Sequence, residues 1–311
     1  MRLQSEMSNP QSSSRRTLVV VVIASLFLWG ATGTGVVSTN VFGAADRFDR
    51  IVDRIRLAVD PPVDREIAAI VEVTELDFPE IEPVSVGAGD VATPSKPKLR
   101  RKPVNVKLRA KAGDIFASQH KNDWCSPAGI QMVLAMHKAS DNTVGFQRRL
   151  AETIKQFESW RDSHNGGWGP AAIAEAIAAN GVKGYEVRAY RTRAVALRDS
   201  ARALSRTKAP VILIAWRGAH TWVMTGYRAD ADPLVFRNAL ITGAYIYDPW
   251  YPRVSSIWGP SDPPGTFQNR AEMERNYLRW DRPEGNYKSR DGKFLAVVPT
   301  IPLKDQQGGR S

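Results

Sequence analysis

The chain has 311 residues, 43% hydrophobic and 24% charged, with a formal net charge of +11. That composition suits one sizeable globular domain with extensions, or two small domains, and excludes collagen, a coiled coil and wholesale disorder. The charge is uneven: residues 1–108 carry 14 Lys/Arg against 13 Asp/Glu, residues 109–311 carry 29 against 19, so the excess lies in the later two thirds. The basic residues are scattered among acidic ones and form no stripe with interleaved aromatics. This is a solvated basic surface, and no nucleic-acid partner is expected.

At the N-terminus, Arg15 and Arg16 precede an apolar run from Leu18 to Trp29, and no charge follows before Asp46. Residues 1–45 fit a signal peptide with a cleavage site after Gly43-Ala44-Ala45, or a single membrane anchor with its basic end in the cytoplasm. Either reading puts the rest of the chain outside the cytoplasm, secreted or anchored. Residues 46–108 form an intervening segment. Its first part, 46–82, holds 11 Asp/Glu against 5 Arg. Phe48, Ile51, Ile55 and Val59 fall on one helical face, which Pro61-Pro62 end. A second short helix is expected over Val63–Glu72. Residues 83–108 hold four prolines, and a basic cluster runs from Lys96 to Lys111. They read as a spacer, a tether to an anionic surface, or a processing site.

From Arg109 the pattern is that of an α+β domain, 109–311. A helix starts at Cys125-Ser126-Pro127, with Pro127 suited to a first turn. Another spans Pro170–Asn180 and ends at Gly181. A strand follows at Tyr185–Val187, then a helix over Thr192–Arg206. Strands are expected at Val211–Trp216, Thr221–Tyr227, Ala244–Tyr247 and Phe294–Val298. Helices first and antiparallel strands later define α+β. Gly166-Gly167-Trp168-Gly169 reads as a loop lining a cleft, since no Lys-Ser/Thr follows it as in a phosphate cradle.

Three segments carry chemistry. Cys125, the single cysteine, opens a helix, where the positive end favours a thiolate. Gln119, six residues upstream, could donate to an oxyanion together with the backbone N–H of Cys125. His220 opens a strand after a tight turn and could act as base toward a thiol. Asp248 ends a strand in Tyr247-Asp248-Pro249 and could orient His220. Each residue also has a bland reading: a packed thiol, a satisfied core histidine, a turn aspartate, a loop glutamine. His120, His137 and His164 show no ligand spacing, so no metal is expected, and no cofactor is implied.

The Gln119-x5-Cys125-x-x-Ala128 segment, Ala219-His220-Thr221-Trp222-Val223 with Gly226-Tyr227 after it, and Tyr247-Asp248-Pro249 together resemble the C39-like branch of the papain-like cysteine peptidases. The helix from Gly169-Pro170 to Asn180-Gly181 is similar to that family's second helix. The resemblance covers about residues 109–300. It implies a papain-like fold, with N-terminal helices packed on an antiparallel sheet. By resemblance Cys125 is nucleophile, His220 base then acid, Asp248 its orienting partner and Gln119 an oxyanion donor, acting on a peptide or protein substrate. No transporter portion accompanies the domain, and residues 250–292, rich in Trp, Pro and Arg, carry none of these motifs and could cover the cleft or shape substrate choice. A transglutaminase-like or amidase acyl transferase, or a non-catalytic peptide-binding domain of the same fold, are the alternatives. Residues 46–108 are also a candidate inhibitory pro-segment.

Overall fold

The computed structural model describes residues 63–78, 100–109, 111–163, 169–255, 259–281 and 287–307. The expected signal or anchor segment, the helix through Ile51 and Ile55, most of the spacer, and residues 164–168 of the glycine loop lie outside them. Among the described residues no helix is long and apolar enough to cross a membrane.

In chain order the elements are β1 Ile70–Val73, β2 Val104–Lys107, α1 Ala112–Ile115, α2 Cys125–Met136, α3 Val144–Thr153, α4 Pro170–Ala179, β3 Tyr185–Tyr190, α5 Arg193–Thr207, β4 Val211–Ala215, β5 His220–Ala229, β6 Ile241–Tyr247, β7 Val254–Ser255, β8 Gly259–Pro260, β9 Thr266–Asn269, α6 Arg270–Asn276, β10 Phe294–Pro299 and α7 Leu303–Gln307. The main sheet runs β1-β3-β10-β4-β5-β6-β9. Among the described residues only the β1–β3 pair is parallel. β4 pairs with the first half of β5, and β2 takes over the same side further along, with Lys107 opposite Gly226.

Side-chain alternation explains why helices cover both faces. In β4, Val211, Leu213 and Ala215 face one core with α5, while Ile212 and Ile214 face the other with α1, α2, α3 and α4. A strand buried on both sides reads as a continuous apolar run, as Val211–Ala215 does. The N-terminal helices α1–α4 do pack on an antiparallel-rich sheet, and α5 covers its other face, so the mixed α/β domain has its sheet between two helical layers.

Two expectations fail. Residues 63–69 are irregular and 70–73 are a strand, not a helix. The β-branched Ile70-Val71-Glu72-Val73 finds a partner in β3, and that pairing overrides a weak local helical pattern. Ion pairs of Glu72 with Lys293 and of Glu75 with Arg198 hold the segment, so acidic residues upstream of Arg109 dress a basic domain. β2 likewise lies inside the expected spacer, its half-buried Val104 and Val106 alternating with exposed Asn105 and Lys107. Residues 250–292 supply the edge strand β9, helix α6 and the buried Trp280.

Candidate active site

The site lies where the N-terminus of α2 meets the ends of β5 and β6. Cys125 is the first residue of α2 and is buried. α2 sits unusually close to β5, and Gly129 is the reason: a Cβ there would lie 2.6 Å from Cγ2 of Thr221. Glycine inside a helix costs about 1 kcal/mol relative to alanine, so its presence marks a close approach. One turn earlier, the Ser126 and Thr221 hydroxyls bond each other at 3.1 Å, which ties the Cys125 turn to β5. Gly129→Ala is expected to push α2 off β5, destabilise the domain by about 1–3 kcal/mol as overpacking does, and slow alkylation of Cys125. A thermal melt and an iodoacetamide rate measure both; unchanged values would refute the close-approach account.

His220 opens β5 directly after a left-handed turn. Trp216, Arg217 and Gly218 all have positive φ, at 49°, 60° and 99°. The two non-glycine residues cost about 1–2 kcal/mol each in this region. Packing opposes that cost: the Trp216 ring stacks on the His220 imidazole with centroids 4.0 Å apart and planes 17° apart. Trp216 Nε1 donates to Asn276 Oδ1 at 3.1 Å. Trp250 meets His220 edge-on at 6.5 Å. The imidazole is thus held in plane by two indoles.

Asp248 follows the last residue of β6. Its Oδ1 lies 2.7 Å from His220 Nε2 and also accepts the Trp250 backbone N–H at 2.8 Å. With Nε2 engaged, Nδ1 is the nitrogen left to exchange a proton with the Cys125 thiol. Burial pushes His220 toward the neutral form, but the charge and hydrogen bond of Asp248, with a contribution from Cys125, hold its pKa up to about 9. Burial pushes the Cys125 thiol up; the hydrogen bond and positive charge of His220, helped by Thr221 and Ser126, outweigh it and set the thiol below its usual range. Both directions favour a thiolate–imidazolium pair near neutral pH.

Gln119 is also buried near this helix start. Its Nε2 donates to the carbonyls of Lys121 and Asn122 at 2.9 and 2.8 Å, so the amide shapes the loop leading into Cys125. The structure thus brings Cys125, His220 and Asp248 together and engages the Gln119 amide with its own loop. That loop is braced from below by Gln147, which is fully buried on α3. Gln147 Oε1 accepts the His120 N–H at 2.9 Å; its Nε2 donates to the Ser118 carbonyl and to Gln131 Oε1. A second tie runs to the segment that follows β6 and carries Asp248: Gln119 N–H donates to the Pro249 carbonyl at 2.8 Å, and Arg253 donates to Asn122 Oδ1 and the His120 carbonyl.

Sequence reasoning missed Trp216, Trp250, Gln147 and Gly129. Gly129 left a direct signal, as a glycine inside a helical pattern. Gln147 needed recognition of α3, whose Thr143 N-cap accepts the Phe146 N–H, a start signal visible in the sequence.

The family model for the Peptidase_C39 like family matches residues 115–281, more than half the chain. The chain belongs to this family. A crystal structure of a double glycine motif protease from an AMS/PCAT transporter, in complex with the leader peptide, is 19% identical with a TM-score of 0.32; the match covers 63% of this chain and 99% of that one. No curated protein matches the sequence.

Proposed function

We propose that the chain is a cysteine peptidase that cleaves peptide bonds by acyl transfer through Cys125, His220 and Asp248, exported or anchored by its N-terminal apolar run. The observation that carries this reading is the buried line from Asp248 through His220 to Cys125, with charge on Asp248 raising the base and the base lowering the thiol. His220 Nδ1 takes the thiol proton, and the thiolate attacks the peptide carbonyl carbon. The oxyanion is held by N–H groups at the start of α2, which have no partner inside the helix. Gln119 joins them by releasing one of its loop carbonyls. The C–N bond breaks as His220 returns the proton to the leaving amine. Water, deprotonated by His220, then hydrolyses the thioester and frees Cys125.

A thiol-directed activity probe tests this on the full chain at neutral pH. Cys125 is expected to label far faster than free cysteine, Cys125→Ser to label not at all, and His220→Ala to label at the rate of an ordinary thiol. Peptide hydrolysis should fall by about 10²–10⁴-fold in His220→Ala, the usual worth of a general base. Labelling at free-thiol rate in the unaltered chain would leave a binding domain of the same fold.

A further inference from the structure

A second cleft lies at the other end of α2 from Cys125, about 18 Å away along a 12-residue helix. Its volume is about 1070 Å³. Lys107, Arg109, Lys111, Lys138 and Lys208 line it, and Asp114 is the one acid. The cations come from three separate places: the end of β2 and the residues after it, the residue after the α2 C-cap, and the α5 C-cap. Arg109, Lys111 and Lys208 are exposed and make no ion pair among the described residues. The ends of α2 and α5 each bring roughly half a negative charge, which two lysines offset. With Lys138 set aside, the four other cations, less Asp114 and these two half-charges, leave about two net positive charges. The floor is apolar, with Val106, Leu108 and Met136 half-buried in it.

We infer that this cleft docks on the anionic phospholipid headgroups of a bilayer. A cationic rim over an apolar floor matches a phosphate joined to glycerol and acyl chain; a free phosphate uses only the rim. Charge outside the cleft agrees: without Arg109, Lys111, Lys138, Lys208 and Asp114, residues 109–311 still carry 25 basic against 18 acidic residues. Each basic residue near an anionic surface is worth about five-fold in partitioning, so two net charges give roughly 25-fold at low salt. The inference is independent of peptidase chemistry, because none of these residues belongs to the Cys125 site.

The test is hydrogen exchange of the full chain with phosphatidylcholine vesicles, with and without phosphatidylglycerol. Any insertion of the N-terminal run occurs in both, so the difference reads the cleft. Amides of residues 104–115 are expected to slow only with phosphatidylglycerol present, and to lose that protection at high salt. The double variant Arg109→Glu with Lys208→Glu should abolish it while keeping its melting temperature. Equal protection by phosphatidylcholine alone, by free glycerol phosphate, or by a soluble acidic peptide would overturn the inference. Protection that persists in the double variant would do so too. If that variant does not fold, salt-insensitive protection of the unaltered chain overturns it.

Discussion

Asp248→Ala is expected to collapse the thiolate–imidazolium pair at pH 8. His220 now stays protonated up to about 9, chiefly because the Asp248 charge outweighs burial. Remove that charge, and burial is left to push the imidazole toward or below its ordinary value of about 6.5. A raised folded pKa means the cation is present below about 9 and is lost as pH rises through it; in the variant the loss occurs near or below neutrality. Since the chain holds one cysteine, iodoacetamide alkylation reads Cys125 alone. The unaltered chain should show a reactive plateau that begins below the ordinary thiol range and extends to about 9. Asp248→Ala should lose it and label as an ordinary thiol, with peptide hydrolysis lowered about 10²–10⁴-fold at pH 8. Asp248→Asn keeps an acceptor for the Trp250 N–H but removes the charge. If it matches the unaltered profile, orientation rather than charge is the contribution of Asp248. If Asp248→Ala also leaves the profile unchanged, the triad reading fails.

The parts of this site that were legible in the sequence are those fixed by local rules. Cys125 before Ser126-Pro127 marks a helix start, Arg217-Gly218 marks a turn, and Asp248-Pro249 marks a strand end; each puts a reactive side chain at an element's tip. The buried strand Val211–Ala215 could be read because burial on both faces leaves a continuous apolar run. What was not legible depends on partners distant in sequence. β1 is four residues long and is a strand only because β3, more than a hundred residues later, accepts it. The stack of Trp216 on His220 requires three consecutive left-handed residues, two of them not glycine, which no propensity predicts. Gln147 looks like any surface glutamine of an amphipathic helix until Ser118 and His120 are brought to it. The braces of the site are thus tertiary, whereas its reactive tips are local.

Arg290 predicts the largest effect on stability. Its side chain is completely buried. Its Nη1 donates to the carbonyls of Arg161 and Asp162 at 2.9 and 2.8 Å, its Nε donates to Asp291 Oδ1 at 2.9 Å, and the guanidinium lies over the Trp280 ring at 4.8 Å. The segment it gathers carries Asp162, whose carboxylate caps α4 by accepting the N–H groups of Ala171 and Ala172 at 2.9 and 2.8 Å. Arg290→Met fills the space but strands those carbonyls and an uncompensated carboxylate. Breaking a buried charge network of this kind costs about 3–5 kcal/mol, or about 6–20 °C in melting temperature for a domain of this size. Urea unfolding measures it, and a loss within about 0.5 kcal/mol, the range of an ordinary surface substitution, would sink the claim. The cost should also depend on pH. Burial raises Asp162 to about 6, against the lowering effect of the Ala172 and Ala171 N–H groups and of Arg290. A folded pKa above the unfolded value of about 3.9 means the fold binds the extra proton between these values. Its stability therefore falls as pH rises from about 4 to about 6, and the penalty of the ionised form is complete above that. Arg290 limits the penalty only when Asp162 is charged. Arg290→Met should therefore cost more at pH 7.5 than at pH 4.5, whereas a purely steric role for Arg290 would give the same loss at both.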